Sequence, residues 1–179
     1  ANSSANPVLS IRKEGNTPAW GAVYEQYFQE IDKVKGQKGV LSVEKKLFVE
    51  TNNGTNRQIR PVTPEQPLRI GDKVIVRLTI RTDREMNYVF LKDLRAGCFE
   101  PADQLSGPES RDGIWYYRSP KDVSENFFIN RLPEGTFVLE YPVYVSRSGE
   151  YAGGISTIQC MYAPEFVSHT AGESLRIMP

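Results

Sequence analysis

Lys73-Val-Ile-Val-Arg-Leu-Thr-Ile-Arg81, entered through Gly71-Asp72, is the stretch that decides the fold of this 179-residue chain. In an extended backbone successive side chains point to opposite faces, so Val74, Val76, Leu78 and Ile80 share one face while Arg77, Thr79 and Arg81 take the other. Gly-Asp is turn chemistry and the residues after it are rich in β-branched side chains. The segment therefore reads as a strand with one face in a core and one facing out.

The same period of two recurs along the chain. In Val40 to Val49, Leu41, Val43, Leu47 and Val49 oppose Ser42, Glu44 and Lys46. Thr51-Asn-Asn-Gly-Thr-Asn56 is a turn, after which Pro61, Pro64 and Pro67 keep the chain irregular as far as Leu68. Tyr88-Val-Phe-Leu91, Ile114-Trp-Tyr-Tyr117 and Asn126-Phe-Phe-Ile129 are short β-rich runs bounded by turn residues. Gly135 to Val145 aligns Phe137, Leu139, Tyr141, Val143 and Val145, and Pro142, which has no N–H to donate, puts that strand at an edge or a bulge. Ser146-Arg-Ser-Gly149 reads as a hairpin turn into Tyr151 to Met161, with Leu175 to Ile177 as a closing strand. About seven to nine strands separated by turns imply an all-β fold, an antiparallel β-sandwich. Trp20 to Val34 is ambiguous: Tyr24, Tyr27, Phe28 and Ile31 lie at helical spacing, while Val23 and Tyr27 against Glu25 suit a strand.

Composition excludes some partners. Lysine plus arginine (22) balance aspartate plus glutamate (22) with no basic run, so neither nucleic acid nor an anionic membrane surface is expected to bind. No apolar stretch is long enough to cross a bilayer, and Ala1 to Asn6 lacks the regions of a signal peptide. The abrupt apolar start at Trp20 suggests a piece of a larger exported protein. Two cysteines allow one disulfide and no metal framework.

Several residues invite a chemical reading. Cys160 precedes the single histidine, His169, by nine residues, but a nucleophile and base need mutual reach, an orienting group and oxyanion donors, none of which can be named; a buried thiol and a surface histidine are expected. Cys98-Phe-Glu-Pro101 approaches Cys-x-Glu-Gln, in which cysteine and glutamine form an internal thioester, yet proline offers no side-chain carbonyl. No thioester is expected in this segment. Whether Cys98 and Cys160 pair depends on geometry, with two separate buried thiols the expectation. Asp72, Asp83, Glu85, Asp93, Glu100 and Asp103 alternate with Lys73, Arg84 and Lys92 and read as solvated surface rather than a calcium loop. Trp115, Tyr116 and Tyr117 could form a sugar-stacking platform; core and cross-strand packing is the expectation, since at least one must face inward. No catalytic residue, metal ligand or cofactor is expected.

Taken in order, Gly71-Asp-Lys-Val74, Tyr88-Val-Phe-Leu-Lys-Asp-Leu-Arg-Ala-Gly-Cys-Phe-Glu-Pro101, Leu132-Pro-Glu-Gly-Thr-Phe-Val-Leu-Glu-Tyr141 and Met161-Tyr-Ala-Pro-Glu165 resemble the C-terminal macroglobulin domain of bacterial alpha-2-macroglobulin-like proteins. The resemblance covers about residues 40 to 179 and implies a macroglobulin-like β-sandwich without an active site of its own. Trp20 to Lys33 resembles the segment returning from the preceding CUB-like and thioester region, so residues 1–35 form that segment, expected as an extended strand, and 36–179 the domain. It further implies an exported parent in the periplasm or cell envelope, of a kind often anchored to the membrane, that traps proteases; the expected partners are neighbouring domains and, through the whole protein, target proteases. Tyr162 and Pro164, at the end of the shared motif, are candidates for an interdomain contact. The alternative is a free-standing surface binding module, such as a carbohydrate-binding sandwich built on Trp115 to Tyr117.

Overall fold

The structure, a computed structural model, describes residues 10–20, 27–53, 56–63 and 65–179. Among these, β1 (Leu41–Asn53) and β2 (Asn56–Pro61) form a hairpin, followed by β3 (Leu68–Arg69), β4 (Lys73–Thr82), β5 (Met86–Leu94), β6 (Phe99–Pro101) and β7 (Gly107–Arg111). The chain continues through β8 (Ile114–Pro120), β9 (Ser124–Leu132), β10 (Gly135–Val145), β11 (Gly149–Ala152), β12 (Ser156–Cys160), β13 (Val167–His169) and β14 (Ser174–Met178). They assemble as a five-stranded sheet in the order β2-β1-β4-β10-β6, a six-stranded sheet β13-β12-β5-β9-β8-β7 and a small sheet β11-β14-β3. All pairings are antiparallel except β14 with β3.

The expected β-sandwich is what forms, and its core is the face that alternation selected. Val74, Val76, Leu78 and Ile80 of β4 are buried between Leu41, Val43, Leu47 and Val49 of β1 and the inward residues of β10, Phe137 to Val145. Val89 and Leu91, Phe127 and Ile129, Ile114 and Ile158 supply the opposing face from the six-stranded sheet, and all belong to one cluster. Each such side chain taken from water contributes about 1.5–3 kcal/mol. Pro142 lies where its missing donor does no harm. Its carbonyl accepts from the Ala102 N–H at 3.3 Å, so the nitrogen's side faces away from β4, along a margin that β6 covers only from Val143 to Val145.

The structure corrects several local readings. The strands number fourteen among the described residues because short pieces such as β3, β6, β7 and β11 carry too few apolar residues to show a period. The stretch after Asn56 is strand β2 rather than irregular chain: it is an edge strand whose one large apolar side chain, Ile59, is exposed. Ser146–Gly149 is not a hairpin turn. Ser146 is tied to the Cys98 carbonyl by its N–H (2.8 Å) and hydroxyl (3.1 Å), which turns the chain out of the β10 sheet, and β11 pairs with β14 instead. Of Trp20 to Val34, residues 21–26 lie outside the described residues; Ile31–Lys33 is a single 3-10 turn and no strand. Gln37 then pairs with His169, exchanging N–H donors at 2.9 and 3.0 Å, so the chain enters the domain along the outer side of β13.

Candidate functional site

Tyr162 and Pro164 sit on the turn between β12 and β13. Pro164, with its preset φ, occupies the second position of a β-turn closed by the Phe166 N–H donating to the Ala163 carbonyl at 2.9 Å, and Cys160 N–H donates to Phe166 at 3.0 Å. This rigid turn leaves Pro164 exposed and Tyr162 81% exposed, with Met161 beside it at 55%. Under Tyr162 lies Tyr88 of β5. The rings meet edge to face, with centroids 5.1 Å apart, and the Met161 N–H donates to the Tyr88 carbonyl at 2.9 Å. Tyr88 holds this position at φ +56°, a left-handed conformation that costs a bulky residue on the order of 1–3 kcal/mol. Tyr88 thus holds a backbone conformation unusual inside a strand while its ring lies against the exposed Tyr162.

The corner belongs to a wider aromatic face. Register aligns Gln159, Phe90, Phe128, Tyr117 and Pro108 in one row across β12, β5, β9, β8 and β7. Phe90 and Phe128 stack at 4.9 Å. The expected core packing of Trp115 to Tyr117 holds only for Tyr116, which is buried against Phe127 and donates its hydroxyl to Glu109 at 3.0 Å; burial and that carboxylate push its phenol up to about 12. Trp115 is 72% and Tyr117 47% exposed, because no layer of the described residues covers this face of the sheet.

Inside the sandwich is a polar pin, and it overturns the reading of Asp93 as a solvated surface acid: the inward face of β5 carries it into the core, where buried donors match its charge. Asp93 of β5, fully buried, accepts from Lys45 Nζ at 2.9 Å, from the Ser156 hydroxyl at 2.7 Å and, through its other oxygen, from the Tyr141 hydroxyl. Lys45 also donates to the Leu94 and Gly153 carbonyls at 2.9 and 3.2 Å, so all three ammonium protons are used. Burial and the Asp93 charge raise the Tyr141 phenol well above its ordinary range. Gly154 makes the approach possible, since at φ +73° a Cβ there would stand 2.2 Å from the Leu94 carbonyl oxygen. Nearby, Glu125 accepts from Arg95 at 2.9 Å and Arg118 at 2.7 Å; burial raises its carboxyl against the pull of both guanidiniums.

The other chemically suggestive residues do not gather. His169 stands opposite Thr157, three residues along β12 from Cys160, and their partners differ: Cys160 Sγ meets the Asn87 carbonyl at 3.3 Å and His169 Nδ1 the Thr170 carbonyl at 3.1 Å. Cys98 and Cys160 are separate, buried, free thiols, and burial pushes Cys98 up to about 11. Of the six acids, Asp72 caps its own turn at the Arg69 N–H (2.8 Å), Asp83 pairs with Arg84, Glu85 with Arg131 and Asp103 with Arg118, Glu100 is exposed, and Asp93 is in the core. No group of acids, histidines and cysteines that could hold a metal occurs among the described residues, and no described helix is long and apolar enough to cross a membrane.

The family model of the bacterial alpha-2-macroglobulin MG10 domain matches residues 41–165, from the first residue of β1 through the Tyr162 turn. The chain belongs to that family. Among solved structures it is similar to Salmonella alpha-2-macroglobulin reacted with methylamine, at 21% identity and a TM-score of 0.63 over 81% of this chain and 10% of that one. Escherichia coli alpha-2-macroglobulin activated by porcine elastase gives 18% identity and 0.63 over 81% and 14%. These likenesses show the fold. A curated relative, Circularly permutated Ras protein 2 of Dictyostelium discoideum, is 28% identical over 109 residues, which is 61% of this chain and 3% of that protein. This MG10 chain thus spans a small fraction of each relative's length.

Proposed function

We propose that this MG10 domain is a non-catalytic docking module, the C-terminal domain (residues 36–179) of an exported, envelope-located alpha-2-macroglobulin-like protein that traps proteases. Residues 1–35 are the segment arriving from the preceding region. The observation that carries the docking role is the Tyr162 turn: an 81% exposed tyrosine, braced by a proline turn and by a strained Tyr88, inside the span that defines the family. A ring held that firmly in solvent contributes nothing to this domain's own core, and its rigidity lowers the ordering cost of meeting a neighbouring domain. Membership of the family supports the parent's role, and the long remainder of the similar Salmonella and Escherichia coli chains supports domains for it to meet.

The test substitutes Tyr162→Ala and Pro164→Ala together in the full-length parent. Limited proteolysis and solution scattering are expected to show a loosened resting form, while the isolated domain keeps its melting temperature. Unchanged packing and stability of the parent would sink the docking role.

A further inference from the structure

We propose that the open stretch of β14 is a strand-addition site that takes an extended, acidic segment from the rest of the parent chain. β13 and β14 keep one register against β12 and β11, His169 opposite Thr157 and Ile177 opposite Gly149, and the chain's own segments cover the outer edge of this line at both ends. At one end His169 pairs with Gln37 and the Gly172 N–H donates to the Val34 carbonyl at 2.8 Å; at the other, β3 pairs with Ile177 and Met178. Between them no strand of the described residues lies alongside. The Gly153 N–H donates to the Glu173 carbonyl on the β11 side and the Ile70 N–H to the Met178 carbonyl on the opposite side, so alternation turns the main-chain groups of Ser174 and Arg176 to the uncovered edge. Across the opening stands β1, whose cover by β2 ends where the Val62 N–H donates to the Leu47 carbonyl at 2.9 Å; two residues earlier the Lys45 main chain points the same way with no described strand opposite. A groove of about 780 Å³ lies between the two edges, floored by Leu47, Val62, Pro67, Leu68 and Leu175.

Two open strand edges facing one groove select a polypeptide. Strand addition takes its affinity from main-chain hydrogen bonds and its specificity from side chains received at alternate positions; the unpaired edge supplies the first and the apolar floor the second. β3 is itself a two-residue instance of such an addition on the same edge. Charge on the rim selects the kind of segment: Lys46 and Arg176, both exposed, have no ion pair among the described residues and face a single rim carboxylate, Glu173, while Glu44 beside Lys46 is taken by Lys38 at 3.2 Å and Arg81 at 3.5 Å. The surplus is positive, so an acidic segment fits. Ser174–Arg176 is too short an edge to hold a free peptide tightly, but a segment tethered in the same chain meets it at an effective concentration on the order of millimolar. The similar Salmonella and Escherichia coli chains, of which this chain covers 10% and 14%, have a long remainder from which such a segment can come. The source of the occupant thus rests on the parent proposed above, whereas the site does not, and none of the groove's walls belongs to the Tyr162 turn.

The probe is an acetylated, amidated heptapeptide alternating glutamate and valine, titrated into the isotope-labelled 179-residue chain while backbone amide shifts are followed. Saturable shifts are expected at Lys45, Ser174 and Arg176. N-methylating one alternate set of the peptide's nitrogens is expected to abolish binding and methylating the other set to spare it, because only one edge of an added strand meets β14; lysine in place of glutamate is expected to weaken binding roughly tenfold. Arg176→Pro removes an outward N–H without touching the groups that face β11 and is expected to abolish the response. Should that variant fail to fold, Lys46→Glu with Arg176→Glu keeps the main chain and is expected to weaken binding at least about tenfold. No saturable response at millimolar peptide overturns the site, as does equal tolerance of both methylated sets. Ser174 and Arg176 amides that exchange as slowly in the free chain as those of Leu175 and Ile177 would show an edge already covered from within, and overturn it too. In the full-length parent those two amides are expected to be protected by hydrogen exchange mass spectrometry, and to stay so in the Tyr162→Ala, Pro164→Ala variant, which separates this site from the docking role. Peptide binding to the 179-residue chain without such protection in the parent would overturn the parent segment as occupant.

Discussion

Replacing Lys45 by methionine should unfold this domain far more readily than its place in a polar Glu-Lys-Lys run suggests. Asp93 is 0% exposed and its charge is matched by Lys45 at 2.9 Å; methionine fills nearly the same volume but leaves the carboxylate with only the Ser156 and Tyr141 hydroxyls. Removing one partner of a buried pair costs about 3–5 kcal/mol because the other charge stays uncompensated. For a domain of this size, each kcal/mol lowers the melting temperature by roughly 2–4 °C, so a drop of about 6–20 °C is expected by circular dichroism. The decisive comparison is the double variant Lys45→Met with Asp93→Asn. The amide keeps partners for Ser156 and Tyr141 without a charge, so the double variant should be less damaged than the sum of the singles by about 1–3 kcal/mol in urea unfolding. A single Lys45→Met variant within about 1 kcal/mol of wild type, or additivity within about 0.5 kcal/mol, would refute the view of Asp93 as a charge neutralised chiefly by Lys45.

Two further outcomes follow from the same geometry. Tyr88→Asn should raise the stability of the isolated domain by about 1 kcal/mol, because asparagine tolerates φ +56° and tyrosine does not, while exposing Tyr162 to faster surface oxidation; an unchanged or lowered melting temperature would mean the ring contact at 5.1 Å outweighs the backbone strain. Glu140 links Arg77 at 2.6 Å and Arg111 at 2.7 Å; burial alone would raise its carboxyl, but the two guanidiniums prevail and hold it below the usual range. Its contribution is therefore complete above the ordinary carboxylate pKa and is lost as pH falls through the lowered value, so Glu140→Gln should cost on the order of 1.5 kcal/mol at pH 7 and progressively less under acid, read by urea unfolding at several pH values. A gap that widens on acidification would contradict it.

What could be read from the residues, and what could not, divides by the range of the interaction. The buried face of each long strand follows from a period of two, which needs only neighbours in sequence, and so β4, β1 and β10 lie as expected. Even Trp115 and Tyr117 were open to such reading: Ile114 and Tyr116 share a parity, and an isoleucine on one side of a strand argues that its own face is the inner one. Lys45 carried a similar signal, since it interrupts Leu41, Val43, Leu47 and Val49 on the core face, and a lysine there requires a buried carboxylate. Which carboxylate was not legible, because Asp93 reaches Lys45 only once β1 and β5 lie in opposing sheets. Tyr88 is harder still. Nothing in Asn87-Tyr-Val89 asks for a left-handed residue; the conformation is met by the Met161 N–H, arriving from a turn far along the chain, and by the edge-to-face contact of the ring with Tyr162. Local rules fail there because the backbone of Tyr88 answers to a hydrogen bond and a ring contact brought in by a turn about seventy residues on, and tertiary contacts of that range override a residue's own preference without leaving a mark in its neighbours in sequence.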